Sequence, residues 1–106
     1  MRERELLELA AKAYGIGPVI GFEDGQLVIG PIRQRRYWGP LNQDGDAARL
    51  AAKLNMDVSF RGEGDERVVQ VNDTIMFVNS DLACGNEMKA YREAVVSVAA
   101  EIGRLL

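Results

Sequence analysis

Residues 33–46 read RQRRYWGPLNQDGD and lead directly into the helix-like segment AARLAAKL at residues 47–54. The first segment contains three of the thirteen basic residues and the only Trp of the chain. The second has apolar residues at helical spacing, and this pattern predicts a helix that begins near Ala47. Asp44 or Asp46 can cap that helix, because a carboxylate accepts hydrogen bonds from backbone N–H groups that lack partners.

A helix and a hairpin are predicted upstream of this stretch. Residues 2–14 place apolar side chains on one helical face, and Gly15 to Pro18 end the helix, since Gly accepts left-handed backbone and Pro cannot extend a helix. Two short apolar runs, residues 19–22 and 26–29, flank Asp24-Gly25, a dipeptide that favours a two-residue hairpin turn.

Three strands and a helix are predicted downstream. Val58 and Phe60 lie on one face of a strand, and a charged, flexible loop is predicted at residues 61–66. A second hairpin is expected at residues 67–78, with its turn at Asn72-Asp73. From Met88 to Leu105 apolar residues recur at spacings of three and four, so this last helix should contribute most to the core.

The order of these elements predicts a single α+β domain over residues 1–106. Short links between neighbouring strands imply an antiparallel sheet of about five strands, made of two hairpins plus one strand. The three helices should form a single layer on that sheet.

Composition narrows the classes of function. A net charge of −3 argues against a dedicated duplex-DNA-binding protein, whose surface would be basic. No apolar run approaches the ~18 residues that a membrane span needs, and residues 1–5 lack the apolar core of a signal peptide. With Cys84 as the one Cys, the chain suits a reducing cytoplasm and is not expected to act at a membrane.

The usual catalytic and metal-binding residues are scarce. The chain has no His, the commonest general base, and a lone Cys84 lacks a partner that would activate it. Residues 42–46 resemble a calcium loop, but the glycine falls inside the acidic run and no distal Glu follows at the required spacing. We therefore expect neither an enzyme, nor a cofactor, nor a metal.

The basic and aromatic run is the candidate ligand site. Arginine guanidinium groups grip phosphate or carboxylate at two points, and aromatic faces stack on nucleobases. The candidate residues are Arg33, Arg35 and Arg36 for phosphate contacts, Tyr37 or Trp38 for stacking, and Asp44 and Asp46 for polar contacts or helix capping.

Other interpretations of the same residues remain open. Trp38 could be a core residue that covers apolar surface, and the arginines could be a solvated strand edge. The run could also be a protein-binding patch, because Trp, Tyr and Arg are enriched in interface hot spots. A homodimer is a further option, since a two-fold partner could close a pocket that a chain of 106 residues leaves open.

Two segments resemble the NinX-like small phage accessory proteins. The first runs from Tyr37-Trp38-Gly39-Pro40-Leu41 through Asp44-Gly45-Asp46-Ala47 into the following helix, and the second is the closing helix around residues 91–104. Together they cover under half of the chain, and Asn42-Gln43 stands where such proteins have a longer acidic turn. The resemblance implies a bacteriophage or prophage protein of the host cytoplasm, and it carries over no activity.

In that setting the leading hypothesis is an anti-defence binding protein that antagonises host immunity. It would sequester a nucleotide-type signal through residues 33–46, in which the arginines would contact phosphates and the aromatic rings would stack on bases. The alternatives are an inhibitor of the anti-CRISPR kind that docks on a host defence protein, or an accessory protein with only a structural or dimerisation role.

Overall fold

The computed structural model describes residues 2–64 and 66–106, and within them the chain folds into helices and antiparallel strands. The helices are α1 (Glu3–Tyr14), α2 (Asp44–Lys53) and α3 (Glu87–Arg104). The strands are β1 (Val19–Glu23), β2 (Gln26–Ile29), β3 (Arg36–Trp38), β4 (Val58–Glu63), β5 (Glu66–Val71) and β6 (Thr74–Phe77). A short 3-10 helix, Ile32–Gln34, precedes β3. The predicted α+β class is confirmed.

The strands form two sheets, whereas the sequence pattern predicted one. One sheet has the order β1-β2-β3 and the other β4-β5-β6, and every pairing is antiparallel. The first of these sheets contains β3, a three-residue strand that the sequence pattern did not predict. It pairs with β2 so that Trp38 lies opposite Leu27, and β1 and β3 are the outer strands of that sheet.

The predicted turns form where the sequence placed them. Asp24 and Gly25 both have positive φ, at 53° and 76°, as the two-residue turn between β1 and β2 requires. Asn72 has a φ of 53° in the turn between β5 and β6. The loop predicted at residues 61–66 is too long, because strand pairing continues to residue 63 and resumes at residue 66. Asp65 lies outside the described residues.

The core is built around α3, as its spacing predicted. Nine residues of this helix are buried, and most of them are Ala or Val. Its closest neighbour is α1, and the approach is so tight that a Cβ at Gly103 would lie 1.9 Å from the carbonyl oxygen of Leu9. The buried residues facing this contact are correspondingly small, among them Ala10, Ala99 and Ala100. The two helix backbones therefore touch directly.

The start of α2 differs from its prediction. The helix begins at Asp44, three residues before Ala47, and its N-cap is Gln43, whose side chain makes no capping hydrogen bond. The expectation that Asp44 or Asp46 caps α2 is therefore wrong. Both acids lie within the first turn, where their charge still complements the positive end of the helix dipole.

In the part of the chain that the structure describes, none of the helices combines the length and apolar character required to cross a membrane.

Substitution of Gly103 by Ala should destabilise the fold. The added Cβ would meet the Leu9 backbone, which cannot move without separating α1 from α3. We expect a loss of about 1–3 kcal/mol in the free energy of unfolding, measured by urea denaturation. Gly45→Ala is the matched control, because this second helical glycine faces only the end of the Arg49 side chain, at 3.4 Å. There the gain in helix propensity should leave stability unchanged or higher, and equal losses in both variants would contradict the packing account.

Glu93, half-buried on α3, should make stability depend on pH. Burial raises its pKa and Glu3 raises it further, while Lys89 and Arg92 act in the opposite direction, and the net shift is upward from 4.5. A raised pKa in the folded state means that the protonated group stabilises the fold below pH 4.5 and that this contribution is lost as pH rises through the folded pKa.

Gln at position 93 does not titrate, so the variant does not lose this stabilising contribution as pH rises. The melting temperature of Glu93→Gln relative to the natural chain should therefore increase between about pH 4 and about pH 7. Glu101→Gln, an exposed position on the same helix, serves as the control for removing one negative charge. A difference that stays constant with pH, or that matches the control, would contradict the role assigned to burial.

Candidate functional site

A cleft of about 260 Å³ lies between β3, the start of α2 and the end of α1. Four of the seven predicted site residues border it, and three further residues complete its wall. The lining residues are Tyr14, Ile16, Arg36, Tyr37, Trp38, Asp46 and Arg49. The cleft thus combines aromatic rings, two guanidinium groups and one carboxylate.

Asp46 organises one side of the cleft. Its Oδ2 accepts a hydrogen bond of 3.0 Å from the backbone N–H of Gly39, and its Oδ1 accepts one of 2.6 Å from Nη2 of Arg49. The carboxylate side chain is 14% exposed, whereas that of Arg49 is 66% exposed. Both carboxylate oxygens are therefore engaged inside the protein. Asp46 fixes the loop and the guanidinium, and it is not directed at a ligand.

Trp38 forms the floor of the cleft as a core residue. Only 4% of its surface is exposed, and its ring packs against that of Tyr14 with centroids 5.7 Å apart at an interplanar angle of 39°. Nζ of Lys53 lies over the Tyr14 ring, 5.5 Å from its centroid, which is within cation–π range. Of the two interpretations of Trp38, the core residue is thus the correct one. It does not offer a free face for stacking.

The alternation of β3 divides the basic and aromatic run between two faces. Tyr37 points to the side opposite Arg36 and Trp38, where its hydroxyl donates a 3.0 Å hydrogen bond to Oε2 of Glu23. This hydrogen bond and the charge of the carboxylate raise the pKa of Tyr37, because both favour the protonated phenol. Tyr37 remains 51% exposed and therefore borders the cleft only at its rim.

The other predicted residues lie outside the cleft. Arg35 borders a separate depression of about 210 Å³ on the outer face of the first sheet. Arg33 is an exposed residue of the 3-10 helix. The three arginines of the run therefore do not converge on one phosphate. The structure therefore does not bring all seven predicted residues into one cleft, because Arg33 and Arg35 precede β3 and Asp44 begins α2. Their part in ligand binding stays a prediction.

Asp44 belongs to a different neighbourhood. Its Oδ1 is 2.5 Å from Nη1 of Arg92 on α3, and Nε of Arg92 donates a 2.8 Å hydrogen bond to the carbonyl oxygen of Leu41. Arg92 thus ties the start of α2 and the preceding loop to the last helix. Asp44 also borders a larger hollow of about 620 Å³ between α2, β4 and α3. Its role is structural in this arrangement.

The prediction missed Tyr14, Ile16 and Arg49. Arg49 follows Asp46 by three residues on the predicted helix, and residues at that spacing are neighbours on a helix surface, so its pairing with the carboxylate could have been predicted. Tyr14 is the last residue of α1. Its contact with Trp38 joins elements that are 24 positions apart in sequence and has no local signal.

Among residues 2–64 and 66–106, no group of three or more acidic or Cys residues could hold a metal ion. The thiol of Cys84 is exposed and donates a hydrogen bond of 3.0 Å to the carbonyl oxygen of Asp81. Comparison of the chain with protein-family models, with curated proteins and with solved structures found no match.

Replacing Asp46 with Asn should destabilise the fold more than removing its partner Arg49. The Gly39 N–H would lose a charged acceptor in a partly buried place, which typically costs about 1–3 kcal/mol. Arg49→Gln should cost at most about 1 kcal/mol, since its side chain is largely exposed and surface ion pairs contribute little. Urea denaturation of both single variants and the double variant tests this order. If Arg49→Gln proved the more damaging change, the assigned role of Asp46 would be incorrect.

Proposed function

We propose that this chain is a non-catalytic binding protein that takes a small anionic ligand with a flat ring, of nucleotide type, in the cleft between β3 and α2. The observation that supports the proposal is the joint placement of Arg36 and Arg49 above a floor formed by Tyr14 and Trp38. Two cationic groups suit the phosphate of a nucleotide. The apolar floor can pack against its base by contact other than ring stacking, since the Trp38 ring has no free face.

The balance of charge supports an anionic ligand. Arg36, Arg49 and the nearby Lys53 are cationic, and the one carboxylate of the cleft is already hydrogen-bonded to Arg49 and Gly39. A guanidinium presents its N–H groups in a planar fork, so Arg49 can hold Asp46 on one side and still donate to a phosphate on the other.

The size of the cleft limits the ligand. A volume of about 260 Å³ is slightly below the range of roughly 300–1,000 Å³ that is usual for small-molecule sites. One nucleotide unit therefore suits it better than a whole cyclic dinucleotide or trinucleotide. A larger cyclic nucleotide would place one base and one phosphate in the cleft and leave the remainder outside.

The biological part of the proposal rests on the resemblance to the NinX-like phage proteins. In that setting the protein would act in a host cell and sequester a nucleotide signal of host immunity. Sequestration needs binding without turnover, and a chain that lacks His offers no obvious general base.

A second candidate function is docking on a host defence protein. Arg33, Arg35 and Tyr37 are exposed on the outer side of β3 and the preceding turn, and they are residue types that are enriched in interface hot spots. Arg33 and Arg35 do not line the cleft, and Tyr37 borders it only at its rim, so substitution of Arg33 and Arg35 can separate the two functions.

Ligand binding should change the fluorescence of Trp38, because this single Trp lies in the cleft floor. We would titrate the protein with nucleoside monophosphates, cyclic dinucleotides and inorganic phosphate, and confirm binding by calorimetry. Arg36→Ala and Arg49→Ala should each weaken nucleotide binding by about tenfold or more, since each removes a charge-assisted contact. Arg33→Ala is the matched control and should bind like the natural chain.

The outcomes distinguish the two candidate functions. No binding of any nucleotide by the folded protein would overturn the ligand proposal. Equal weakening in Arg33→Ala would show general charge attraction instead of a cleft. If the Arg33→Ala and Tyr37→Ala proteins lost a host partner while nucleotides had no effect, docking would be favoured.

A further inference from the structure

The backbone hydrogen bonds show which residues β4 directs away from its sheet. The N–H of Asn72 donates to the carbonyl oxygen of Asp57 at 2.8 Å, so Asp57 faces β5. Residues alternate along an antiparallel pair, and residues 59 and 61 therefore also face β5. The same alternation directs the N–H and C=O groups of Val58, Phe60 and Gly62 to the outer edge.

The pairing of β5 with β6 gives the same alternation independently. The N–H of Val78 donates to the carbonyl oxygen of Arg67 at 2.9 Å, which directs residue 67 of β5 toward β6. Residues 66, 68 and 70 are then directed toward β4, in agreement with the bonds at Asp57.

This outer edge is open and adjoins apolar surface. In the described part of the chain no strand pairs with it, because β4 ends the order β4-β5-β6. Beside it lies the hollow of about 620 Å³, whose wall includes Val58, Phe60, Met88 and Tyr91. Phe60 is 48% exposed and Met88 40% exposed, although the Phe60 ring already packs on Tyr91 at 5.9 Å. An unprotected edge next to apolar side chains favours the addition of another strand.

We propose that the added strand is β4 of a second copy of this chain, paired antiparallel about a two-fold axis at Ser59. Val58 then lies opposite the partner's Phe60, and the partner's Val58 lies opposite Phe60. The N–H and C=O groups of both residues are satisfied in each copy. The β4-β5-β6 sheets of the two copies then form one sheet of six strands.

Charge complementarity selects this register. Ser59 and Arg61 share the outer face of the sheet, since Arg61 donates to Gln70, which is the cross-strand neighbour of Ser59. Asp57 precedes Ser59 by two residues and lies on that same face. A two-fold axis at Ser59 places Asp57 opposite the partner's Arg61 twice, and opposite charges in such pairs stabilise a sheet.

One alternative register on the same edge is disfavoured. An axis at Arg61 would place two arginines opposite each other. Like charges directly opposite each other destabilise strand pairing.

Apolar contacts favour the same arrangement. Val58 and Phe60 lie on the face that packs on α3, so the partner's copies of these residues would lie beside the hollow. The pairing would cover Phe60, which a single copy leaves half exposed. This interface is separate from the cleft and does not depend on the ligand proposal.

Disulfide trapping tests the register directly. Ser59 and the partner's Ser59 form a non-hydrogen-bonded pair, in which Cα atoms lie about 4.5 Å apart, within the range of a disulfide. Ser59→Cys in a Cys84→Ser background should give a covalent dimer on mild oxidation. Thr74→Cys in the same background, at the opposite edge of the sheet, is the matched control and should remain mostly monomeric.

Analytical ultracentrifugation of charge variants provides a second test. Asp57→Arg and Arg61→Asp should each weaken dimerisation by about tenfold, because each creates two like-charge pairs, and the double variant should restore it. Circular dichroism checks the fold of each variant. A natural chain that sediments as a monomer at every concentration would overturn the proposal. So would equal crosslinking at residues 59 and 74, or a double variant that stays as weak as the single ones.

Discussion

The contact between Gly103 and the carbonyl oxygen of Leu9 is the constraint on which the rest of the structure depends. It brings α1 and α3 to backbone contact, a distance that no residue with a Cβ permits at position 103. The small residues around it follow from this closeness, since larger side chains would separate the helices. With α1 fixed against α3, Tyr14 at the end of α1 is held where it packs on Trp38. The floor of the cleft is therefore positioned by a helix contact that is not part of the cleft itself.

The loop between β3 and α2 is held at its start and at its middle by charged groups. At its start the Gly39 N–H donates to Asp46, and two residues later the carbonyl oxygen of Leu41 accepts from Arg92. Position 39 also leaves little room for a side chain, because a Cβ there would lie 2.4 Å from the Gln26 side chain on β2, which would have to move. These contacts join the first sheet, α2 and α3. The wall of the cleft is thus as well determined as the core, although much of it is exposed.

Local features of this protein could be predicted from its sequence, and relations between distant segments could not. The turns at Asp24-Gly25 and Asn72-Asp73 and the apolar stripe of α3 depend on residues that are close in the chain. The division into two sheets is a relation between distant segments, and one of the strands, β3, is three residues long and has too few positions for a recognisable alternation. The predicted site residues are divided between surfaces for a related reason. A continuous run of Arg, Tyr and Trp suggests one surface, but a strand sends its neighbours to opposite faces, and Asp44 pairs with Arg92, which is 48 residues away.

The structure changes which arginine matters most for an anionic ligand. The sequence favoured the three arginines of residues 33–36, whose side chains are long, exposed and costly to immobilise. Arg49 is already oriented by Asp46, so it loses less conformational entropy when it meets a ligand. Its guanidinium also retains donors that the carboxylate does not use. An arginine whose guanidinium is already held by a carboxylate contributes more to binding than several mobile arginines, because it loses less conformational entropy when the ligand binds. Under the proposed function, Arg49 on α2 would therefore be the main anion contact of the cleft, and Arg36 would be the member of the basic run that assists it.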